Sequence, residues 1–260
     1  MCMGKTHARQ GVPAGIALAA FGAPLIGAPL PLSLGTAVAG LVVGASLLPD
    51  IDHPDATVAH SFGAVSGIVS DAVHGVSGVL YSLTRTRWDR DRDGGHRGIT
   101  HTALFAAGAG VLTWWLVHLF WLYAVGGVLF LFGTYAVRGL AGKWAYRHPF
   151  LALAVAAWCA GVLTLFLWAG SPPELTARWF GFAVTAGCLV HLFGDCLTTQ
   201  GCPVFFPVPI RGQVWRMVGT PRFLRFDTEA DSRVELVLGR LSLCTGGAIG
   251  ALYLFTLLGV

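Results

Sequence analysis

Long apolar runs separated by short polar clusters make up most of this chain. The runs cover residues 12–30, 33–48, 102–117, 119–137, 150–169, 178–195 and 240–259. Several reach the roughly 20 residues needed to cross a hydrocarbon core about 30 Å thick. Backbone polar groups find no water partners in lipid, so each run is predicted to be helical. The stretch from Ile99 to Val137 would be about 58 Å long as one helix at 1.5 Å per residue, so two helices meeting near His118 are expected there. Residues 61–84 are long enough to span but carry Asp71, His74 and many small side chains. They read as an interfacial or re-entrant helix. The expected fold is all-α: a single domain over residues 1–260, built as a polytopic membrane bundle of about seven transmembrane helices.

Composition supports that reading. Hydrophobic residues make up 55% of the chain and charged residues 12%, against about 25% charged in a soluble domain. With seven spans, residues 1–11, 49–101, 138–149 and 196–239 share one side of the membrane. Of the 17 Lys and Arg residues, Arg178 alone lies beside a turn on the other side. Positive charge marks the cytoplasmic face, so a multi-pass inner-membrane protein with a cytoplasmic N-terminus is expected. The basic start followed by an apolar run resembles a secretory signal, but the run continues almost directly into a second span, so no cleavage is predicted. The six cysteines form no framework: Cys159, Cys188 and Cys244 sit in apolar runs, and the spacing of Cys196 and Cys202 is too wide for a zinc pair. No basic patch with interleaved aromatics supports nucleic-acid binding.

Chemistry gathers in four places. Asp50, Asp52 and His53 stand within "LLPDIDHP", between Pro49 and Pro54; His96 and His101 stand within "HRGITHT"; His191 and Asp195 lie in "HLFGD"; His7 precedes the first span. All four fall at the same end of their spans, so the topology brings them to one membrane face. His191 and Asp195, at i and i+4, share a helical face about 6 Å apart. Imidazole with carboxylate suits zinc, manganese or iron, while all-oxygen sets suit magnesium or calcium. The cofactor expected is a divalent metal, zinc first, with manganese or magnesium as alternatives and two or more ions suggested by the number of ligands. His7, Asp50, Asp52, His101, His191 and Asp195 are the expected metal residues. Asp52, as a bridge or general base, is grouped with His53 and His96 for catalysis. Thr100 is the predicted N-cap of the third span. Arg97 reads equally as a partner for a substrate phosphate and as a cytoplasmic anchor.

These motifs carry a resemblance. "THxxxG" from Thr6, "LLPDIDHP" from Leu47, "HRGITHT" from His96 and "HLFGDCLTTQGCPVFFP" from His191 resemble the YdjM-like family, described as LexA-regulated inner-membrane metal-dependent hydrolases. The resemblance covers most of the chain in the same order. It implies a multi-helix membrane hydrolase whose site includes His7, Asp50, Asp52, His53, His96, His101, His191 and Asp195. "DTEADSRVE" looks like an altered form of the family's TGS-x-x-E stretch and places Glu235 as a further member, without the TGS. The expected activity is hydrolysis of a phosphoester or other ester at the cytoplasmic face, with membrane lipids or a small-molecule or lipid ester as partners. The rival readings are a transporter or metal-handling protein, whose ionisable groups belong near the bilayer midplane, and a regulatory membrane protein with a degenerate site.

Overall fold

The computed structural model describes residues 4–22, 30–221, 223, 225–226 and 233–258. Its helices are α1 (Gly4–Phe21), α2 (Leu32–Ala45), α3 (Ala64–Thr84), α4 (Ala103–Ala141), α5 (Lys143–Arg147), α6 (Pro149–Gly170), α7 (Pro173–Cys196) and α8 (Arg233–Leu258). Short 3-10 turns at Leu48–Asp52 and Ile99–His101 precede α3 and α4. Among the described residues, β-structure is limited to isolated bridges such as Cys202 with Val218.

The all-α membrane architecture is present. Five helices among the described residues are long and apolar enough to cross a bilayer: Leu32–Asp52, Ala103–Ala141, Pro149–Gly170, Pro173–Cys196 and Arg233–Leu254. The expected number was about seven. α1 falls short because its first turns carry Lys5, His7, Arg9 and Gln10, and residues 23–29 of the predicted first span lie outside the described residues. The two spans expected between 102 and 137 form one helical run, interrupted at Trp121, whose φ of 27° is not helical. The run doubles back there. Its start adjoins Asp50 through His101, and near its end Gly139 abuts Leu47.

α2 and α7 are the most buried of the long apolar helices, 61% each against 11% for α8, and α2 packs against α1, α4 and α7. Leu34, Ala37, Val38, Leu41 and Val42 are fully buried or nearly so. Small residues let its neighbours come close, the way membrane helices associate without a hydrophobic drive between them. A Cβ on Gly11 or Gly15 of α1 would stand 2.8 Å from Val43 Cα or 2.7 Å from the Ala39 carbonyl oxygen. On α2 itself, a Cβ at Gly44 would run into the Phe132 carbonyl oxygen, and on α7 one at Gly187 would lie 2.6 Å from that of Val42. These close approaches set the α1, α4 and α7 ends around the end of α2. The polar residues cluster there.

The predicted interfacial helix forms as α3 and is not among the candidate spans. Its sidedness is inverted. Ser66, Ser70, Ser77 and Tyr81 face inward, while Val65, Ile68, Val76, Val79 and Leu83 are 59–76% exposed.

Candidate metal centre

Four chain segments meet beyond the end of α2. The Pro49 turn tightens the chain into a 3-10 helix that buries Asp50 and Asp52. α7 ends with His191 and Asp195 on its inner face, both buried. His101 closes the 3-10 turn before α4, fully buried. α1 supplies His7, whose ring stacks on His191 at 3.8 Å between centroids. The expected convergence of His7, Asp50, Asp52, His101, His191 and Asp195 is therefore what the fold builds.

Hydrogen bonds fix which atoms face inward. His191 Nδ1 donates to the Ser46 carbonyl at 2.8 Å, which turns Nε2 toward the cluster as a lone pair. His101 Nδ1 lies 3.3 Å from Asp52 Oδ2, so its Nε2 also points inward. The two Nε2 atoms are 3.2 Å apart. Asp50 Oδ1 is 3.6 Å from His101 Nε2 and 3.5 Å from His191 Nε2; Asp195 Oδ2 is 3.4 Å and 3.7 Å from the same atoms. Ligands around tetrahedral zinc, with bonds of about 2.0–2.1 Å, stand about 3.3–3.4 Å apart. Each carboxylate oxygen thus stands near ligand spacing from both imidazole nitrogens. His7 adds a second indication, because both its ring nitrogens are buried without a hydrogen-bond partner, with Nε2 3.6 Å from Asp195 Oδ1. His7, His191 and Asp195 offer ligand atoms within 4.8 Å of one another, and so do Asp50, His96 and His101. Two His/Asp groups able to hold metal ions are thus present side by side.

Asp52 sits differently from the other aspartates. Its Oδ1 accepts from His96 Nδ1 at 2.9 Å, and its Oδ2 accepts from the Thr100 hydroxyl at 2.6 Å and faces His101 Nδ1. It orients two imidazoles, the arrangement by which carboxylates set the tautomer of metal-bound histidine. Burial alone would depress the His101 imidazole, but the carboxylates of Asp52, Asp50 and Asp195 push it up to about 10.

His53 is half-buried, edge-on to His96 at 4.7 Å, with Nδ1 taken by the Asp55 amide. Burial and the neighbouring His96 hold its pKa below the usual imidazole range, against the pull of Asp50, Asp55 and Asp52. His74 Nδ1 bonds the Asp52 carbonyl at 2.9 Å and so braces the turn from α3, while His60 is exposed. His118 pairs with Glu174, partway along the chain reversal and away from the cluster.

Three features depart from the sequence reading or were absent from it. The cap of α4 is Thr102, which accepts from the Phe105 amide; the expected cap, Thr100, gives its hydroxyl to Asp52 instead. Arg97 is buried and bonded to Asp195, so its guanidinium is neither an open phosphate partner nor a surface anchor. Ser46 was not singled out: its role runs largely through its carbonyl, to which residue type is no guide. Glu235, at the start of α8, is buried and accepts from the Thr6 hydroxyl at 2.9 Å, next to His7. Residues 227–232 of the associated stretch lie outside the described residues.

No curated protein and no solved structure matches the chain. The model of the YdjM inner membrane protein family matches residues 1–256, nearly the whole length, and the chain belongs to that family.

Proposed function

We propose that the chain is a membrane-embedded metal-dependent hydrolase that cleaves a phosphoester or other ester, carried on a lipid or a small molecule, at the cytoplasmic face. The observation that carries this reading is the cage of His101 Nε2, His191 Nε2, Asp50 Oδ1 and Asp195 Oδ2, in which each carboxylate oxygen lies 3.4–3.7 Å from both imidazole nitrogens, close to the spacing of ligands that share an ion. His7 and His96 flank the cage and would extend it to a second ion. Two imidazoles and two carboxylates suit zinc, with manganese as the alternative. When bound, such an ion supplies Lewis acidity toward an ester or phosphoryl oxygen.

The chain's own residues would do the proton work. His96, a half-buried ring that gives Nδ1 to Asp52, would carry the proton. Asp52 holds that tautomer and stabilises the ring when it is charged. His53, half-buried and edge-on to His96 at 4.7 Å, would guide the reacting group. The polar groups stand at helix ends on one side, which favours surface chemistry over the midplane sites of transporters.

The test is metal analysis of purified protein with a panel of phosphoesters and lipid esters. Chelation should abolish turnover, and zinc or manganese should restore it. His191→Ala should remove bound metal, and Asp52→Asn should lower turnover by about 100-fold or more, the scale of general-base catalysis. Turnover that survived both substitutions and thorough metal removal would sink the assignment.

A further inference from the structure

Arg97 follows His96 in a left-handed backbone conformation, φ 54°, which non-glycine residues seldom adopt. Its side chain is 3% exposed. Nη2 donates to Asp195 Oδ1 at 2.7 Å, and Nη1 donates to the Gly201 carbonyl at 2.8 Å and to Thr198 Oγ1 at 3.1 Å. The Thr198 hydroxyl in turn donates to the Asp195 carbonyl at 2.7 Å. At the other end, both terminal nitrogens of Arg92 donate to the Arg97 carbonyl at 3.1 Å, with the Arg92 guanidinium over the Tyr81 ring. Residue 97 is pinned at its backbone and at its tip.

We propose that Arg97 is a positioning residue of the metal centre: it occupies Asp195 Oδ1 so that Oδ2 alone faces the cage. The inference rests on the metal reading above. A carboxylate with both oxygens free can turn and chelate an ion through either or both. Here one oxygen is committed to a charge-assisted bond, and the other lies 3.4 Å and 3.7 Å from the two Nε2 atoms. The planar fork matters as much as the charge. It meets three acceptors at once, which an ammonium on a flexible stem does not reproduce. The charge matters too. Asp50, Asp52 and Asp195 with Arg97 leave two negative charges, the complement of one divalent ion beside neutral imidazoles.

The experiment compares wild type with Arg97→Lys, Arg97→Ala and Thr198→Val, each in lipid nanodiscs. Zinc affinity is measured by chelator competition, and cobalt(II) is substituted to read coordination geometry from its visible bands. Wild type should give the intense bands of a four-coordinate ion. Arg97→Ala should bind zinc about 10–100-fold more weakly, the usual effect of losing a residue that orients a ligand. Arg97→Lys, although it keeps the charge, should lose about 10-fold and change the cobalt spectrum, because the fork is gone. Thr198→Val should shift both readouts in the same direction by less.

Wild-type affinity with an unchanged cobalt spectrum in Arg97→Lys would overturn the proposal. So would tighter binding in Arg97→Ala, which would make Arg97 a repulsive charge and not a support. If Arg97→Ala does not fold, the lysine comparison decides alone. Wild type that takes up neither zinc nor cobalt would instead defeat the metal reading itself.

Discussion

Among single residues, Asp52 and Ser46 lead to opposite expectations. Asp52 orients two imidazoles through both oxygens, so Asp52→Asn, which cannot serve two N–H donors with one carbonyl oxygen, should weaken zinc binding about 10–100-fold. Calorimetry or chelator competition on purified protein measures it, with expression and membrane insertion unchanged. Ser46→Ala removes hydroxyl bonds to the His7 and Val43 carbonyls but leaves the carbonyl that fixes His191. It should cost only about 1 kcal/mol of stability, the worth of an ordinary hydrogen bond, and leave zinc affinity within about threefold. The contrast also marks how far the site was legible. Aspartates and histidines at helix ends announce themselves in a greasy chain because ionisable groups there are expensive. A backbone carbonyl such as that of Ser46 has no letter of its own. Arg97 was noticed, yet its partner was not, since nothing in "HRG" says that its side chain turns inward toward a residue 98 positions away.

At the scale of the helices, two neighbouring glycines of α2 separate packing from propensity. A Cβ at Gly44 would run into the Phe132 carbonyl oxygen, whereas one at Gly40 would meet nothing within 4 Å. Gly44→Ala should therefore destabilise by about 1–3 kcal/mol through forced separation of α2 and α4. Gly40→Ala should be neutral or slightly stabilising, because alanine is the better helix former. Thermal unfolding in one detergent compares them, and a lower midpoint for Gly40→Ala than for Gly44→Ala would contradict the packing. Helix existence could be read from apolar length alone. Helix ends could not. α1 starts at Gly4, well before the apolar run, because its first turns are held by Thr6 to Glu235 and by the glycine contacts with α2. The break at Trp121 lies three residues beyond His118, where total length had required a reversal. Length sets the need for a turn, and local packing sets its place.

For the whole molecule, the expected sidedness follows from the basic residues and from both ends of α4 returning to the site. Reporter fusions after residue 145 and after residue 258 should report opposite faces of the membrane, the first cytoplasmic; a shared face would break the orientation proposed for the site. α3 then has a consequence for handling the protein. Through His74 it grips the carbonyl of Asp52, and through Ser77 it grips the Gly94 carbonyl and the Ile99 amide, while its valines and leucine look outward. The outer wall of the site is thus clamped by a helix that wears its grease on the outside. What keeps such a helix in place is the surrounding amphiphile, a component that purification exchanges for another. Zinc retention should accordingly track the medium: high in nanodiscs, falling as lipid is stripped and detergent thinned, and recovering when lipid is returned. The solvent of this protein is, in effect, one of the struts of its candidate metal site.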